Sequence, residues 1–413
     1  MAADAILVRM YDVGFGDCFF VKIKIADTVT KMLFDCGSIK ADARPIDEVV
    51  QDVIEDAKDA DQKPRIDVVV ATHRHKDHVS GFASPLWKKV EVKEVWMPWT
   101  ESPDDPAAQR IRNSQSKLAA TLAQSGEKKS SLWKQSNPGQ ENRELTAICD
   151  LAMNALSNEA AMQTLHEGFL GNPVRRFLPT GSAKDQVFQT SALKSVLVHV
   201  LGPSRDEKVI RDMDPPAGQS YLQLYDGSDI SSKAPEPFRE DWWMDADAPE
   251  VGYLLSPVDR TKINSIGAGM EFDLAATLDK AVNGTSLMLV LRVGGQWLLF
   301  PGDAQWGTWQ AALENPEWKQ LLARTTFYKI GHHESHNATP VDFVEHTVGN
   351  DFWAMASTHH VDQWPSIPKE ELLAALGKRT TKIARSDKPD EAATPAFRVA
   401  KDNYIEAEIP LSS

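Results

Sequence analysis

Between Thr72 and Gly81 the chain reads THRHKDHVSG, which places His73, His75, Asp77 and His78 within one short stretch. Burying so many polar groups costs several kcal/mol unless they are paired, so packing does not explain them. A solvated loop with incidental histidines is the plain alternative. On a turn after a strand, His73 and His75 can face one metal ion while Asp77 and His78 face another. Imidazole and carboxylate donors without thiolate suit Zn²⁺, and also Mn²⁺ or Fe²⁺.

The flanking sequence predicts what positions this cluster. Ala5–Met10, Cys18–Ile25 and Lys31–Cys36 are apolar runs, the first two separated by glycines at Gly14 and Gly16. Over Asp47–Ala60, Val49, Val50, Val53, Ile54 and Ala57 fall on one helical stripe. Ile66–Ala71 (IDVVVA) is continuous and apolar, as in a strand buried on both faces. The histidine cluster therefore follows the C-terminal end of a buried strand. Further strands are expected at Ser195–Leu201, Ser286–Val293, Gln296–Phe300, Thr326–Ile330 and Phe352–Ala356, with a helix at Lys369–Leu376. Gly294–Gly295 marks a hairpin between the second and third of these strands.

Two stretches interrupt the pattern: a polar, helix-like insertion at about 101–189, and a Pro/Gly/Ser/Asp-rich acidic insertion at about 203–263. The second contains Trp242 and Trp243 among acids. It reads as a lid, a partner-docking surface or a solvated insertion.

The 413 residues suit either two domains or one large domain with insertions. Cys18, Cys36 and Cys149 are too few and too scattered for a disulfide framework. The N-terminal MAADAILVRMYDVG lacks the basic region and long apolar run of a secretory signal, and no apolar stretch approaches a membrane span. A cytoplasmic protein without a membrane partner is expected. A net charge of −14 argues against a broad nucleic-acid-binding face. It leaves room for a polyanionic substrate, because divalent cations would invert the local field.

His73-x-His75-x-Asp77-His78-x-x-Gly81 resembles the signature of the metallo-β-lactamase superfamily. Asp35 in LFDCG resembles its early carboxylate, which orients the metal loop through hydrogen bonds. Asp303 in WLLFPGDAQ resembles its bridging aspartate, and His332 and His333 in YKIGHHESHNAT resemble its late histidine. The resemblance implies an α/β fold, an αββα sandwich spanning 1–413 with the two insertions, and two divalent metal ions at one edge. NGTSLMLVLRVGGQWLLFPGDAQ (283–305), KIGHHESHNAT and WAMASTHHVDQWPSIPKEELLAAL (353–376) are similar to the hydrolase domain of ComEC-type DNA-uptake competence proteins. That likeness covers segments at 1–100, 195–203, 283–336 and 352–387.

The chain departs from the family at three points. Gly202 in VHVLGPS stands where the middle histidine is expected, and His199 lies three residues earlier. By alternation His199 faces away from Val200, as a sheet-face histidine rather than a ligand. Glu334 replaces a glycine, and Trp364 stands before Pro365 where the subgroup carries histidine, with His359 and His360 nearby.

The resemblance then implies a ligand set of His73, His75, Asp77, His78, Asp303 and His332, with Asp77 and Asp303 also catalytic. His333, His336 or His359 would supply the acid. His166 and His346 read as surface residues. The expected activity is phosphodiester hydrolysis by a metal-bridged hydroxide, on nucleic acid or a small diester. Ester, lactone or amide hydrolysis at the same centre, and a degenerate metal- or partner-binding module, are the alternatives.

Overall fold

Ile6, Val8 and Met10 alternate with more exposed neighbours along the first strand, the period-two signature of a strand with one face in a core. This strand, β1 (Ala5–Tyr11), pairs antiparallel with β2 (Phe19–Ile25), which pairs antiparallel with β3 (Thr28–Phe34). In this computed structural model the described residues are 4–39, 44–136, 142–156, 158–181, 186–216, 218–220, 274–334, 339–360, 367–392, 395–401 and 403–411. Helix α1 (Ile46–Asp56) then crosses over to β4 (Arg65–Val70), which lies parallel to β3. The polypeptide turns at the histidine cluster through the single helical turn α2 (Lys76–Val79) into β5 (Glu91–Pro98).

Helices α3 (Pro106–Ser136), α4 (Arg143–Leu156) and α5 (Glu159–Glu167) follow. The helical part of the 101–189 insertion thus ends at Glu167. Beyond it, β6 (Val174–Leu178) adds to the first sheet beside β5, and β7 (Val187–Phe188) opens the second. Two consecutive arginines in VRRFL hide the alternation that would have marked β6 as a strand.

The second sheet continues with β8 (Val196–Gly202), β9 (Met288–Val293), β10 (Gln296–Phe300), β11 (Phe327–Lys329), β12 (Trp353–Ala356) and β13 (Ile383–Arg385). Between β8 and β9 lie α6 (Glu207–Arg211) and α7 over 274–283. Helices α8 (Trp306–Glu314) and α9 (Pro316–Ala323) follow β10, and α10 (Glu370–Gly377) follows β12. Strands β14 (Phe397–Ala400) and β15 (Tyr404–Pro410) return to the first sheet. The orders are β14-β15-β1-β2-β3-β4-β5-β6 and β13-β12-β11-β10-β9-β8-β7.

One apolar cluster joins the two sheets face to face, with Phe19, Val21 and Phe34 meeting Val198, Leu289, Leu291 and Phe300. The outer face of the first sheet packs on α1 and α5, and that of the second on α8, α9 and α10. The result is a mixed α/β arrangement of two sheets between helices. Phe34 and Phe300 stack with centroids 4.0 Å apart and planes 8° apart. Such a pair contributes about 0.5–1.5 kcal/mol beyond its buried area. It also fixes the ends of β3 and β10 relative to each other, one residue before Asp35 and three before Asp303.

Helices α3, α4 and α7 share a separate cluster containing Leu122, Ile148, Leu151 and Leu278. Among the described residues no helix is long and apolar enough to cross a membrane. Trp242, Trp243 and most of 203–263 lie outside the described residues.

Candidate metal centre

Strands β3 to β6 run parallel, as do β10 to β13. Their C-terminal ends supply Asp35, the 72–78 loop, Asp303 and His332–His333 to one edge of the sandwich. Ligand sites of open α/β sheets form at such ends, where the backbone leaves the ladder and side chains are free to converge.

Backbone contacts hold the loop. Asp17 N donates to Asp77 O (2.9 Å), Cys36 N to His78 O (2.8 Å) and Gly81 N to Cys36 O (2.8 Å). Gly37 is required by this approach, since a Cβ there would sit 2.5 Å from Lys76 O and 2.6 Å from Asp77 C. The helical insertion clamps the other side: Lys76 N donates to Asn154 Oδ1 (2.8 Å), and Asn158 Nδ2 to Arg74 O (2.5 Å).

Asp35 orients the loop, accepting from Thr72 N and Thr72 Oγ1, each at 2.7 Å, with His78 Nδ1 at 2.9 Å from Oδ2. That bond directs the other nitrogen of His78, Nε2, to Asp303 Oδ2 at 3.2 Å. His333 Nδ1 donates to Ser357 O (2.7 Å), which directs its Nε2 to Asp77 Oδ2 at 3.1 Å. Asp77, His78, Asp303 and His333, all buried, thus form one cluster whose donor atoms lie within 4.8 Å of one another.

His332 stands beside this group rather than in it. Its Nε2 is 3.9 Å from Asp303 Oδ2 and accepts from Asn283 Nδ2 at 3.3 Å, while its N–H donates to Asp303 Oδ1 at 3.2 Å. The sequence placed His332 among the ligands and His333 as the acid; the geometry brings His333 to the cluster. Both residues have positive φ, 45° and 50°, a tight turn that sends adjacent side chains in different directions.

His73 Nε2 and His75 Nδ1 lie 3.2 Å apart. Two donors on one tetrahedral ion at about 2.0–2.1 Å are separated by about 3.3 Å, so this pair has the spacing of co-ligands. The second nitrogen of His75, Nε2, faces Asp279 Oδ1 of α7 at 3.6 Å. Gly202 offers no third donor, and a Cβ there would meet Thr308 Cγ2 at 2.4 Å, so a side chain would have to displace Thr308. His199 lies against Trp297 on the helix-covered face of the second sheet, ring centroids 5.8 Å apart, outside both histidine clusters. His359 is half-buried and His360 exposed, and neither belongs to a described cluster. His336 and Trp364 lie outside the described residues. His346 is exposed, whereas His166 is half-buried against Phe177 rather than free on the surface.

Two site residues were not singled out from the sequence. Asp17, in the GFGDC turn, pairs with Lys329, both buried, and its Oδ2 is 3.6 Å from His78 Nδ1. Lys329 Nζ is also 3.7 Å from Asp303 Oδ1. The signals were an acid flanked by turn glycine and buried strand, and a lysine in the otherwise apolar β11.

Charge explains the titration behaviour. Burial alone would lower His78, but Asp303, Asp77 and Asp35 outweigh it and raise its pKa well above the ordinary value. Burial would likewise raise Asp77 and Asp303, and the imidazoles around them hold both below the carboxylate range. Burial lowers His73 and His332, and raises Asp35 against the pull of His78.

Asp17, Asp35, Asp77 and Asp303 are each no more than 4% exposed, and Lys329 is the one permanent cation paired with them among the described residues. Asp77 Oδ1 and His332 Nδ1 are buried without a hydrogen-bond partner. Excess buried negative charge, unspent donor atoms and imidazoles held by their far nitrogens fit a divalent cation. The cluster can therefore hold a metal ion.

No protein-family model matches the chain, and no curated protein sequence matches it.

Proposed function

We propose that the protein is a metal-dependent hydrolase of the metallo-β-lactamase type, acting on phosphodiester bonds. The observation that carries this reading is the buried Asp77–His78–Asp303–His333 group, built from the C-terminal ends of strands in both sheets. The likeness to ComEC-type hydrolase domains favours phosphodiesters over esters, lactones and amides. Zn²⁺ suits the all-nitrogen-and-oxygen donor set best, with Mn²⁺ or Fe²⁺ able to replace it.

Asp77, His78, Asp303 and His333 would hold one ion tightly. His73 and His75 would hold a second more weakly, because the Gly202 position contributes no ligand. The bound ions supply Lewis acidity and lower the pKa of water towards neutrality. Asp35 holds His78 through Nδ1, and Ser357 O holds His333 the same way, so neither imidazole has to reorient during turnover. His332 has a side chain 17% exposed, against 1% for Asp303. Asn283 Nδ2 lies 3.3 Å from its Nε2. Burial lowers its pKa, and Asn283 holds its ring beside Asp303 at the mouth of the site.

The test is hydrolysis of bis(p-nitrophenyl) phosphate beside a lactone and a β-lactam, by wild type and Asp303→Asn. The proposal expects diester turnover that Asp303→Asn abolishes while circular dichroism stays unchanged. Wild-type turnover in that variant, or activity confined to the lactone or β-lactam, would overturn it.

A further inference from the structure

A cavity of about 400 Å³ opens between β6 and β7, the end strands of the two sheets. Trp99, Arg175, Arg176, Phe188 and Arg205 line it, together with Asp105. It lies on the metal edge. Trp96 of β5 is in register with Val70, the last residue of β4, so Trp99 and His73 each follow that level by three residues, past the strand ends. Arg176 pairs with Trp96 one strand further on, two strand spacings, about 10 Å, from β4, which leads into the histidine loop. Arg205 follows the end of β8 at Gly202. Arg74 of the metal loop connects the two regions, its Nε 3.8 Å from the buried Glu101, two residues past Trp99.

The lining inverts the sign of the acidic chain. Arg175 is held by the carbonyls of Leu165 (3.3 Å), Pro173 (2.9 Å) and Gly168 (2.9 Å), with no carboxylate partner among the described residues. Its guanidinium is fixed in place by these carbonyls, with Glu167 the carboxylate near enough to act on its charge. Arg176 donates Nε and Nη2 to Glu94 (2.7 and 3.5 Å) and Arg205 donates Nη2 to Asp105 (2.6 Å). A guanidinium carries five N–H donors, so both keep donors for a second acceptor. Arg205 lies 4.0 Å over the Trp99 ring, and Arg176 lies 5.9 Å from the half-buried Phe188 ring.

From this juxtaposition we infer that the cavity is a nucleotide-binding subsite, taking the phosphate of a nucleotide unit on Arg205 and Arg176 and its base against Phe188. Planar guanidinium donors match phosphate oxygens, and an aromatic face accepts any base. The inference rests on the phosphodiester reading and narrows it. The substrate is then a short nucleotide-containing diester, one unit anchored here and its neighbouring linkage presented to the metal centre. That resolves the conflict between phosphodiester chemistry and a net charge of −14, since one local cationic pocket replaces a broad basic face.

The experiment is calorimetric titration of the metal-loaded full chain with AMP and with inorganic phosphate, for wild type, Arg205→Ala and Phe188→Leu. Saturable AMP binding is expected, at least ten-fold tighter than phosphate and weakened ten-fold or more by Arg205→Ala. Phe188→Leu should weaken AMP while leaving phosphate binding comparable to wild type. Absence of AMP binding, wild-type AMP affinity in both variants, or equal affinity for AMP and phosphate would overturn the inference. In parallel, Arg205→Ala should lower the preference for a thymidine 5′-(p-nitrophenyl phosphate) substrate over bis(p-nitrophenyl) phosphate ten-fold or more. If wild type hydrolyses neither diester, the phosphodiester reading fails, and the AMP titration still decides the cavity on its own.

Discussion

Replacing Lys329 with Met should destabilise the metal-free protein by about 3–5 kcal/mol, the cost of leaving a buried charge without its partner. The Lys329 side chain is 3% exposed, and its ammonium touches Asp17 and lies 3.7 Å from Asp303 Oδ1, both carboxylates 1% exposed. At an effective dielectric of ~20, a unit-charge pair at 3.7 Å interacts by about 4 kcal/mol. Burial alone would lower the ammonium pKa, and Asp17 and Asp303 outweigh that and raise it, so the ion is charged where it stands. Methionine keeps most of the volume and removes the charge, so packing contributes little to the loss. A divalent ion bound beside Asp303 would compensate part of the buried negative charge left unpaired. The variant should therefore lose less stability in saturating Zn²⁺ than in chelator, because metal binding is linked to folding. Urea unfolding followed by circular dichroism, in chelator and in excess metal, measures both values. A loss below about 1 kcal/mol in chelator, or a larger loss with metal than without, would refute the charge accounting at this centre.

Gly37→Ala keeps every ligand and should still lower metal affinity ten-fold or more, because its Cβ would sit 2.5 Å from Lys76 O and push the loop away; isothermal titration with Zn²⁺ reads this out. His199→Gln should keep metal content and activity close to wild type, with at most a modest fall in melting temperature, since His199 packs on Trp297; a large metal loss would instead make His199 the third ligand of the His73–His75 site. For Asp56, burial would raise the pKa, but the Tyr11 hydrogen bond, Lys22 and Arg9 outweigh it and lower it below 3.8. A depressed carboxylate stabilises above its unfolded pKa and loses that contribution as pH falls through the folded value. Asp56→Asn should thus cost about 1.5–3 kcal/mol at pH 7 and progressively less as pH falls below about 4, and a pH-independent cost in urea titrations would contradict it.

The strands nearest the site were readable because each carries an uninterrupted apolar run ending in a polar cluster, as in IDVVVATHRHKDH and WLLFPGD. The Gly294–Gly295 hairpin followed from turn chemistry alone, and β9 and β10 pair antiparallel across it. The late histidines were not assignable from sequence, since the choice between His332 and His333 depends on two consecutive positive-φ residues. Asp17 and Lys329 escaped because one charged residue in a turn or strand usually faces solvent, and only tertiary packing buries this pair. Asp279 was equally hidden, as its helix meets His75 only after the chain has passed through two sheets. The edge strand β6 was lost to its arginines, the same residues that line the cavity.

Metal content measured by inductively coupled plasma mass spectrometry, after exhaustive dialysis of wild type and Asp303→Asn, tests the central claim most directly. The wild type should retain at least about one transition-metal ion per chain. Asp303→Asn should lose that ion, because its cluster would keep Asp77, His78 and His333 but not the fourth donor. A wild-type protein that binds no divalent metal, or a variant that retains it in full, would contradict a metal site at Asp77, His78, Asp303 and His333.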